Sequence, residues 1–410
     1  MNPVCRHCQT LLGVPFLDLG FTPPSNAYRT AAQRDEPELS YPLRLSVCKQ
    51  CWLVQAPVVA HPEALFSADY AYFSSVSSTW REHARHYVAM IVDRLKLGTH
   101  SNVIEVAAND GYLLQYFVQR GIPCLGIEPA EGTARAAQAK GVPIMMAFFG
   151  QALGKQLAVE GQQADLLIGN NVLAHVPDIN DFVAGLKAVL KPDGIVTMEF
   201  PHLLRLLQEN QFDTIYHEHY SYLSLQVVQQ IFTAQGLTVF DVEELTTHGG
   251  SLRVYATHNK RGETATARVG ALLQAEENYG LNMPMVYQGF QEQVNRVKNE
   301  LLAFLLERKR QGKKVVGYGA AAKGNTLLNY AGVKPDLLPW VADAALSKQG
   351  RYLPGSHIPI VHPDRIAAEQ PDDVLILPWN LREEISQQLA FIRKWGGQFV
   401  TAIPHLERWI

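Results

Sequence analysis

The sequence predicts an α/β protein in three parts: a small metal-stapled module, a parallel sheet with helices on both faces, and a second α/β domain. Three observations carry this. Four of the five cysteines fall in two C-x-x-C pairs near the N-terminus. From "REHARHYVAMIVDRLKL" onward buried strands alternate with helices, the pattern of a parallel sheet. "KKVVGYGAAAKGNTLLNYAG" then starts the alternation again. At 410 residues the chain is too long for one comfortable core, so several domains are expected.

Hydrophobic content of 47% and charged content of 18% describe a folded globular chain. A net charge of −3 argues against a nucleic-acid partner held by phosphate contacts. No apolar run approaches the length of a membrane span, and "MNPVCRHCQT" has no signal-peptide core. A cytoplasmic protein with no membrane partner is expected, monomeric or weakly dimeric. In a reducing compartment, paired C-x-x-C units serve as metal ligands more often than as disulfides. Cys5, Cys8, Cys48 and Cys51 then offer a zinc ion four thiolates and no open position, which makes the site structural; a redox dithiol is the alternative. His7 lies inside the first knuckle as a bystander, and Cys124 in "IPCLGIEP" reads as core. Residues 1–70 are too poor in apolar periodicity to hold together without the ion.

In the central part, "NVIEVAA", "CLGIEPA", "DLLIGNNVLAHV" and "IVTMEFP" read as strands. "YLLQYFVQRG", "GTARAAQAKG" and "INDFVAGLKAVLKPDG", the last ending at its glycine, read as helices. After the helix "LQVVQQIFTAQG", the strands "LTVFDVEEL" and "SLRVYATH" pair around "THGG", and a parallel sheet finished by an antiparallel pair is the class I methyltransferase arrangement. In "VIEVAANDGYLL", Glu105, Ala107, Asn109 and Gly111 match the loop where such folds hold S-adenosylmethionine, since small side chains let the backbone approach the cofactor. Glu128 of "GIEP", about twenty residues on, is placed to accept from both ribose hydroxyls. The loop has A-A-N-D-G instead of G-x-G. A nicotinamide site shares this plan, but its pyrophosphate needs closely approaching glycines. Phe148 and Phe149 of "AFFG" are candidates to flank the adenine, or core. "GNNVLAHVPD" brings Asn170, Asn171 and His175 to the carboxyl end of the fourth strand, where open sheets bind ligands; a helix cap and a surface histidine are the plainer reading.

"TIYHEHYSYLS" packs Tyr216, His217, Glu218, His219, Tyr220 and Tyr222 into seven consecutive positions. That density suits a site where protons move, or a wet, packed loop. If extended, the segment turns both imidazoles to one side. Residues near 265–311 read as a helical connector. In "GYGAAAKGNTLLNY" a glycine-rich turn offers backbone N–H groups, with Lys323, to a phosphate; a tight turn in an unoccupied domain is the alternative. Arg351 of "SKQGRYLPGSHIPI" reaches that phosphate or is solvated.

Taken in order, the four-cysteine module, "EVAANDG", "NNVLAHV", "YHEHYSYLS" and "GYGAAAKGN" resemble the sugar C-methyltransferases acting on nucleotide-linked deoxysugars, through essentially the whole chain. The resemblance implies a zinc-binding domain over 1–70 and an S-adenosylmethionine domain over 71–262. Over 263–410 it implies the connector and a Rossmann-like sugar-nucleotide domain without its own dinucleotide. It implies a dTDP-4-keto-6-deoxysugar methylated at C-3 in deoxysugar biosynthesis, with His219 as the base assisted by Glu218 and Tyr216. A tyrosine of the N-terminal region, Tyr70 or Tyr72, is expected at the sugar, Tyr70 favoured by spacing. Asn171 and His175 match the pocket loop. His217, Tyr220 and Tyr222 are expected around the substrate, and Lys323, Asn325 and Arg351 toward its diphosphate.

The chemistry agrees. Methylating carbon needs a carbanion equivalent, and a proton α to a ketone is the accessible source. A neutral imidazole suits its removal, and phenols suit the developing oxyanion. An NADPH-dependent ketosugar reductase, or a bifunctional enzyme, is the alternative expectation; an inactive zinc-ribbon scaffold is the third.

Overall fold

The computed structural model describes residues 3–59 and 73–410, so Tyr70 and Tyr72 lie outside the described residues. Strands β1 (Leu17–Thr22), β2 (Tyr41–Val47) and β3 (Val54–Gln55) form an antiparallel sheet beside the four cysteines. The chain then builds β4 (Val103–Val106), β5 (Cys124–Ile127), β6 (Ile144–Met145), β7 (Ala164–Asn170) and β8 (Leu190–Pro201), all parallel. Every residue of β4 is buried, as expected of a strand covered on both faces.

After β8 the chain returns to the first sheet. There β9 (Ser221–Tyr222) pairs with β3, Val54 opposite Tyr222 and Gln55 opposite Ser221. The hairpin of β10 (Leu237–Leu245) and β11 (Ser251–His258) closes the central sheet in the order β10-β11-β8-β7-β4-β5-β6, with β11 antiparallel to β8. Strand order reverses at β4, which opens a crevice at the carboxyl ends of β4 and β7. The helices Ala267–Tyr279, Pro284–Gln288 and Phe290–Arg310 lead to the last sheet. This sheet holds β12 (Val315–Tyr318), β13 (Val341–Ala342), β14 (Ile360–Val361), β15 (Asp373–Ile376), β16 (Gln398–Thr401) and β17 (Glu407–Trp409), in the order β14-β13-β12-β15-β16-β17.

Two expected helices are shorter than their sequence patterns. The segment after β4 is helical only over Gln115–Val118, because Ala107 (φ 58°), Asn109 (φ 48°) and Gly111 (φ 72°) first carry the chain through left-handed turns. The helix Ile179–Val189 stops short of Gly194: Leu190 already begins β8, and Pro192 has no N–H with which to continue a helix.

The N-terminal sheet does not close on itself. One apolar core joins Leu43 and Leu45 to Leu204, Phe212 and Tyr222 of the central part and to Leu301, Leu327 and Leu353 beyond it. Polar ties follow the same route: Asn325 Nδ2 donates to the Ser25 carbonyl at 2.6 Å, and Thr326 Oγ1 to that of Ile215 at 2.8 Å. Among the described residues, no helix is long and apolar enough to cross a membrane.

Candidate active site

A cavity of 490 Å³ opens where the ends of β4, β5 and β7 face the segment Thr214–His219 and the turn Ala321–Lys323. Its volume falls in the range of about 300–1,000 Å³ usual for small-ligand sites. On the sheet side, the left-handed turns at Ala107 and Asn109 bring both residues to the wall. The Glu128 carboxylate accepts from the Asn109 N–H at 3.0 Å with Oε2 and from the Ala130 N–H at 2.9 Å with Oε1. Burial raises its pKa while the two amides oppose the rise. Each oxygen keeps acceptor capacity for a hydroxyl. Asn170 and Asn171 line the same side. Phe148 and Phe149 both line the cavity; Phe148 is 48% exposed, and Phe149 lies edge-on to Phe182 at 5.5 Å.

Two loop residues do something other than face this cavity. Glu105 is buried beneath it, where desolvation, with Glu128 and Asp110 nearby, pushes its carboxyl well above the usual range. Gly111 is needed for packing: at φ +72° a Cβ would meet Val142 Cγ2 at 3.0 Å and Ala137 Cβ at 3.1 Å.

On the opposite side the segment is not extended. The His219 N–H donates to the Tyr216 carbonyl at 2.9 Å, and this turn sends the two histidines apart. His217 lies edge-on to Tyr41 at 5.9 Å and is absent from the cavity wall. His219 is in the wall, its ring 4.0 Å from that of Tyr216, 4.6 Å from His175 and 6.2 Å from Tyr222. Its Nδ1 meets the Thr214 carbonyl at 2.8 Å. Only an N–H can make that bond, so Nδ1 carries the proton and Nε2 the lone pair. Burial, with His175 close by, holds the His219 pKa well below the ordinary value. Burial likewise lowers His175 and His248 to about 4. The wall therefore carries neutral imidazoles at pH 7.

Glu218 has a different place from the one expected. It accepts from Asn26 Nδ2 at 3.1 Å, and burial raises it to about 7. The contact that orients His219 is the Thr214 carbonyl; Glu218 instead fixes Asn26, a cavity residue. Tyr220 is buried under the Arg6 guanidinium at 5.5 Å and outside the wall. Asn325, tied to Ser25, and Arg351 are likewise absent from the wall. Lys323 is in it, donating to Asn380 Oδ1 at 2.7 Å with its ammonium 4.5 Å above the Trp379 ring.

Sequence reasoning missed His248, which sits at φ 55° in the "THGG" turn and meets Asn171 Nδ2 through its Nε2 at 2.9 Å. It missed Trp80 as well, stacked on Tyr112 at 5.8 Å and 4.8 Å from His248. A histidine followed by two turn glycines was the one available signal.

The cysteine sulfurs all lie within 4.8 Å of one another, with Cys5–Cys51 and Cys8–Cys48 at 3.5 Å. Zn–S bonds of about 2.3 Å in a tetrahedron put sulfurs about 3.8 Å apart, so the donor set fits zinc. Gln55 Nε2 donates to Cys5 Sγ at 3.3 Å, and His7 Nδ1 turns to Asn180 Oδ1 at 2.8 Å.

Family models match three stretches: "Putative zinc binding domain" over 5–66, "Methyltransferase domain" over 80–242 and "C-methyltransferase C-terminal domain" over 246–404. C-methyltransferase NovU of Streptomyces niveus is 35% identical over 98% of this chain and 94% of its own. The chain belongs to the C-methyltransferase family. An uncharacterized methyltransferase of Mycobacterium leprae is 30% identical over 30% of this chain and 46% of its own. Among solved structures, the magnesium protoporphyrin IX methyltransferase of Synechocystis PCC 6803 with bound S-adenosylmethionine is similar at a TM-score of 0.33 and 17% identity, covering 43% of this chain and 79% of that one. The matched domains and the identity to NovU make the reaction class of this C-methyltransferase S-adenosylmethionine-dependent methyl transfer to carbon, and the four cysteines are the ligand set of its structural zinc-binding domain.

Glu128→Ala should weaken S-adenosylmethionine binding by about 1.5–3 kcal/mol, the worth of hydrogen bonds to a charged group. Titration calorimetry showing unchanged affinity would mean that the ribose hydroxyls lie elsewhere.

Proposed function

We propose that this C-methyltransferase methylates C-3 of a dTDP-4-keto-6-deoxysugar, with His219 as the base, in deoxysugar biosynthesis. The observation that carries the reading is one buried imidazole: Nδ1 is committed to the Thr214 carbonyl, which leaves a basic Nε2 in a cavity wall shared with Tyr216 and Glu128. S-adenosylmethionine supplies an electrophilic methyl group on a sulfonium centre. Glu128 holds its ribose, Phe148 covers its adenine, and Ala107, Asn109, Asn170 and Asn171 shape the remaining wall. Tyr216 donates to the sugar oxygens, while His175 stays neutral and packs the base in place. A ketone next to C-3 makes that proton removable, and an unactivated C–H would not yield to an imidazole.

The test is incubation with S-adenosylmethionine and a panel of dTDP-ketosugars, read by mass and NMR. One added methyl on C-3 is expected. A product methylated on oxygen or nitrogen, or a ketone reduced to an alcohol with no methyl gained, would overturn the reading. With S-adenosylhomocysteine in D₂O, the C-3 proton should exchange without methylation.

A further inference from the structure

Removing the C-3 proton leaves negative charge on the C-4 oxygen; the neutral imidazoles of the wall offer that charge little, and Tyr216 offers it a neutral phenol. The same wall holds two lysines, of which Lys348 is tied to the Ala320 carbonyl at 2.8 Å. Lys323 comes from the start of the helix Ala322–Ala331, across the cavity from the sheet. Its ammonium stands over the Trp379 ring and donates to Asn380 Oδ1, which leaves it two further N–H donors. Its charge bears on both His219 and His248, so it lies within electrostatic reach of the base. The other residues expected at the diphosphate, Asn325 and Arg351, are absent from the wall. Ala320 N–H on the same turn is already spent on Asp343 Oδ2 at 2.7 Å, and the Ala320 carbonyl accepts from Tyr28 Oη at 2.5 Å. Behind the ammonium, Trp379 Nε1 donates to the buried carboxylate of Asp213 at 2.8 Å. This is a fixed counter-charge set one ring away.

We infer that Lys323 is a catalytic residue whose ammonium stabilises the enolate oxygen at C-4, with Asp213 as the positioning residue that keeps it charged. The inference rests on the ketosugar reading above. In the step, the C-3–H bond breaks, the proton goes to His219 Nε2, and the bonding pair forms the C-3=C-4 double bond. The carbonyl pair moves onto oxygen, which accepts a hydrogen bond from the ammonium without taking its proton. C-3 then bonds the methyl carbon, whose former bond leaves with its pair on sulfur, and the C-4 carbonyl re-forms. A preorganised donor at a developing oxyanion is worth more in a water-poor cavity than in solution. Burial lowers the Lys323 pKa and Asp213 opposes the fall; the charge of Lys323 also acts on His219 and His248, and Lys348, Glu128 and Tyr216 share the wall.

Lys323→Gln should lower kcat and the C-3 exchange rate together, by about 10²–10³-fold as for loss of an oxyanion donor. S-adenosylmethionine binding serves as the fold check, and the Kd for dTDP should stay within a few-fold of wild type. A tenfold loss of dTDP affinity with kcat retained would place Lys323 at the diphosphate and overturn the inference. Asp213→Asn decides the matter if Lys323→Gln fails to fold. Removing the anion lowers the lysine pKa, so the alkaline fall of kcat should move to lower pH; an unmoved limb also overturns it. Failure of the ketosugar reading shows separately, as wild-type enzyme that neither exchanges nor methylates any ketosugar.

Discussion

His219→Asn should lower kcat by about 10²–10⁴-fold while binding of both ligands survives, the usual loss when a general base is removed. The asparagine amide can still donate to the Thr214 carbonyl, so the turn that begins at Tyr216 keeps its geometry. What disappears is the basic nitrogen. His217→Asn is the control: its ring packs on Tyr41 outside the cavity, and kcat should change little. The pH profile gives a second reading. Because the His219 pKa is held well below its ordinary value, the neutral base persists on acidification, and the acid limb of kcat should fall below the normal histidine range. A limb near pH 7 would instead report Glu218, raised to about 7. If His217→Asn is inactive and His219→Asn is not, the base has been misassigned.

Cys48→Ser should cost more than about 4 kcal/mol of stability, the range in which loss of a metal belongs. Wild-type protein should carry about one zinc per chain, and the variant should bind it poorly. The damage spreads along hydrogen bonds. Cys48 N–H donates to the Leu53 carbonyl at 3.0 Å and the Cys48 carbonyl accepts from Trp52 at 2.9 Å, which shapes the knuckle leading into β3. Strand β3 in turn pairs with β9, whose Tyr222 lies edge-on to His219. Activity should therefore fall although the metal touches no substrate. Elemental analysis and thermal unfolding of wild type and variant decide this; a zinc-free wild type purified without chelator would remove the metal assignment.

The fold was legible where chemistry or burial repeats with a short period. The paired cysteines, the wholly buried β4 and the hairpin around "THGG" each announce a local structure, and each stands where its pattern put it. Helix ends were less legible, since Pro192 and the left-handed turns at Ala107 and Asn109 override the apolar period around them. The site was partly legible. His219, His175, Glu128 and Asn171 were read from local motifs and share one cavity. The direction each side chain takes was not, because a single backbone turn separates His217 from His219. Trp80, Asn26 and His248 reach the wall from three distant segments, and no local pattern marks residues that only tertiary packing gathers.

The pairing of β3 with β9 also sets a timetable for synthesis. At about 5–20 residues per second, Ser221 and Tyr222 leave the ribosome on the order of 10–30 s after Gln55. Until then Val54 and Gln55 form an open sheet edge, with backbone groups ready to pair with any passing strand. All four cysteines are synthesised before that edge is covered, so the ion is expected to order the knuckles beside β3 during the wait. Zinc starvation should thus show first as aggregation during translation, and only later as lost turnover in the enzyme that escapes it.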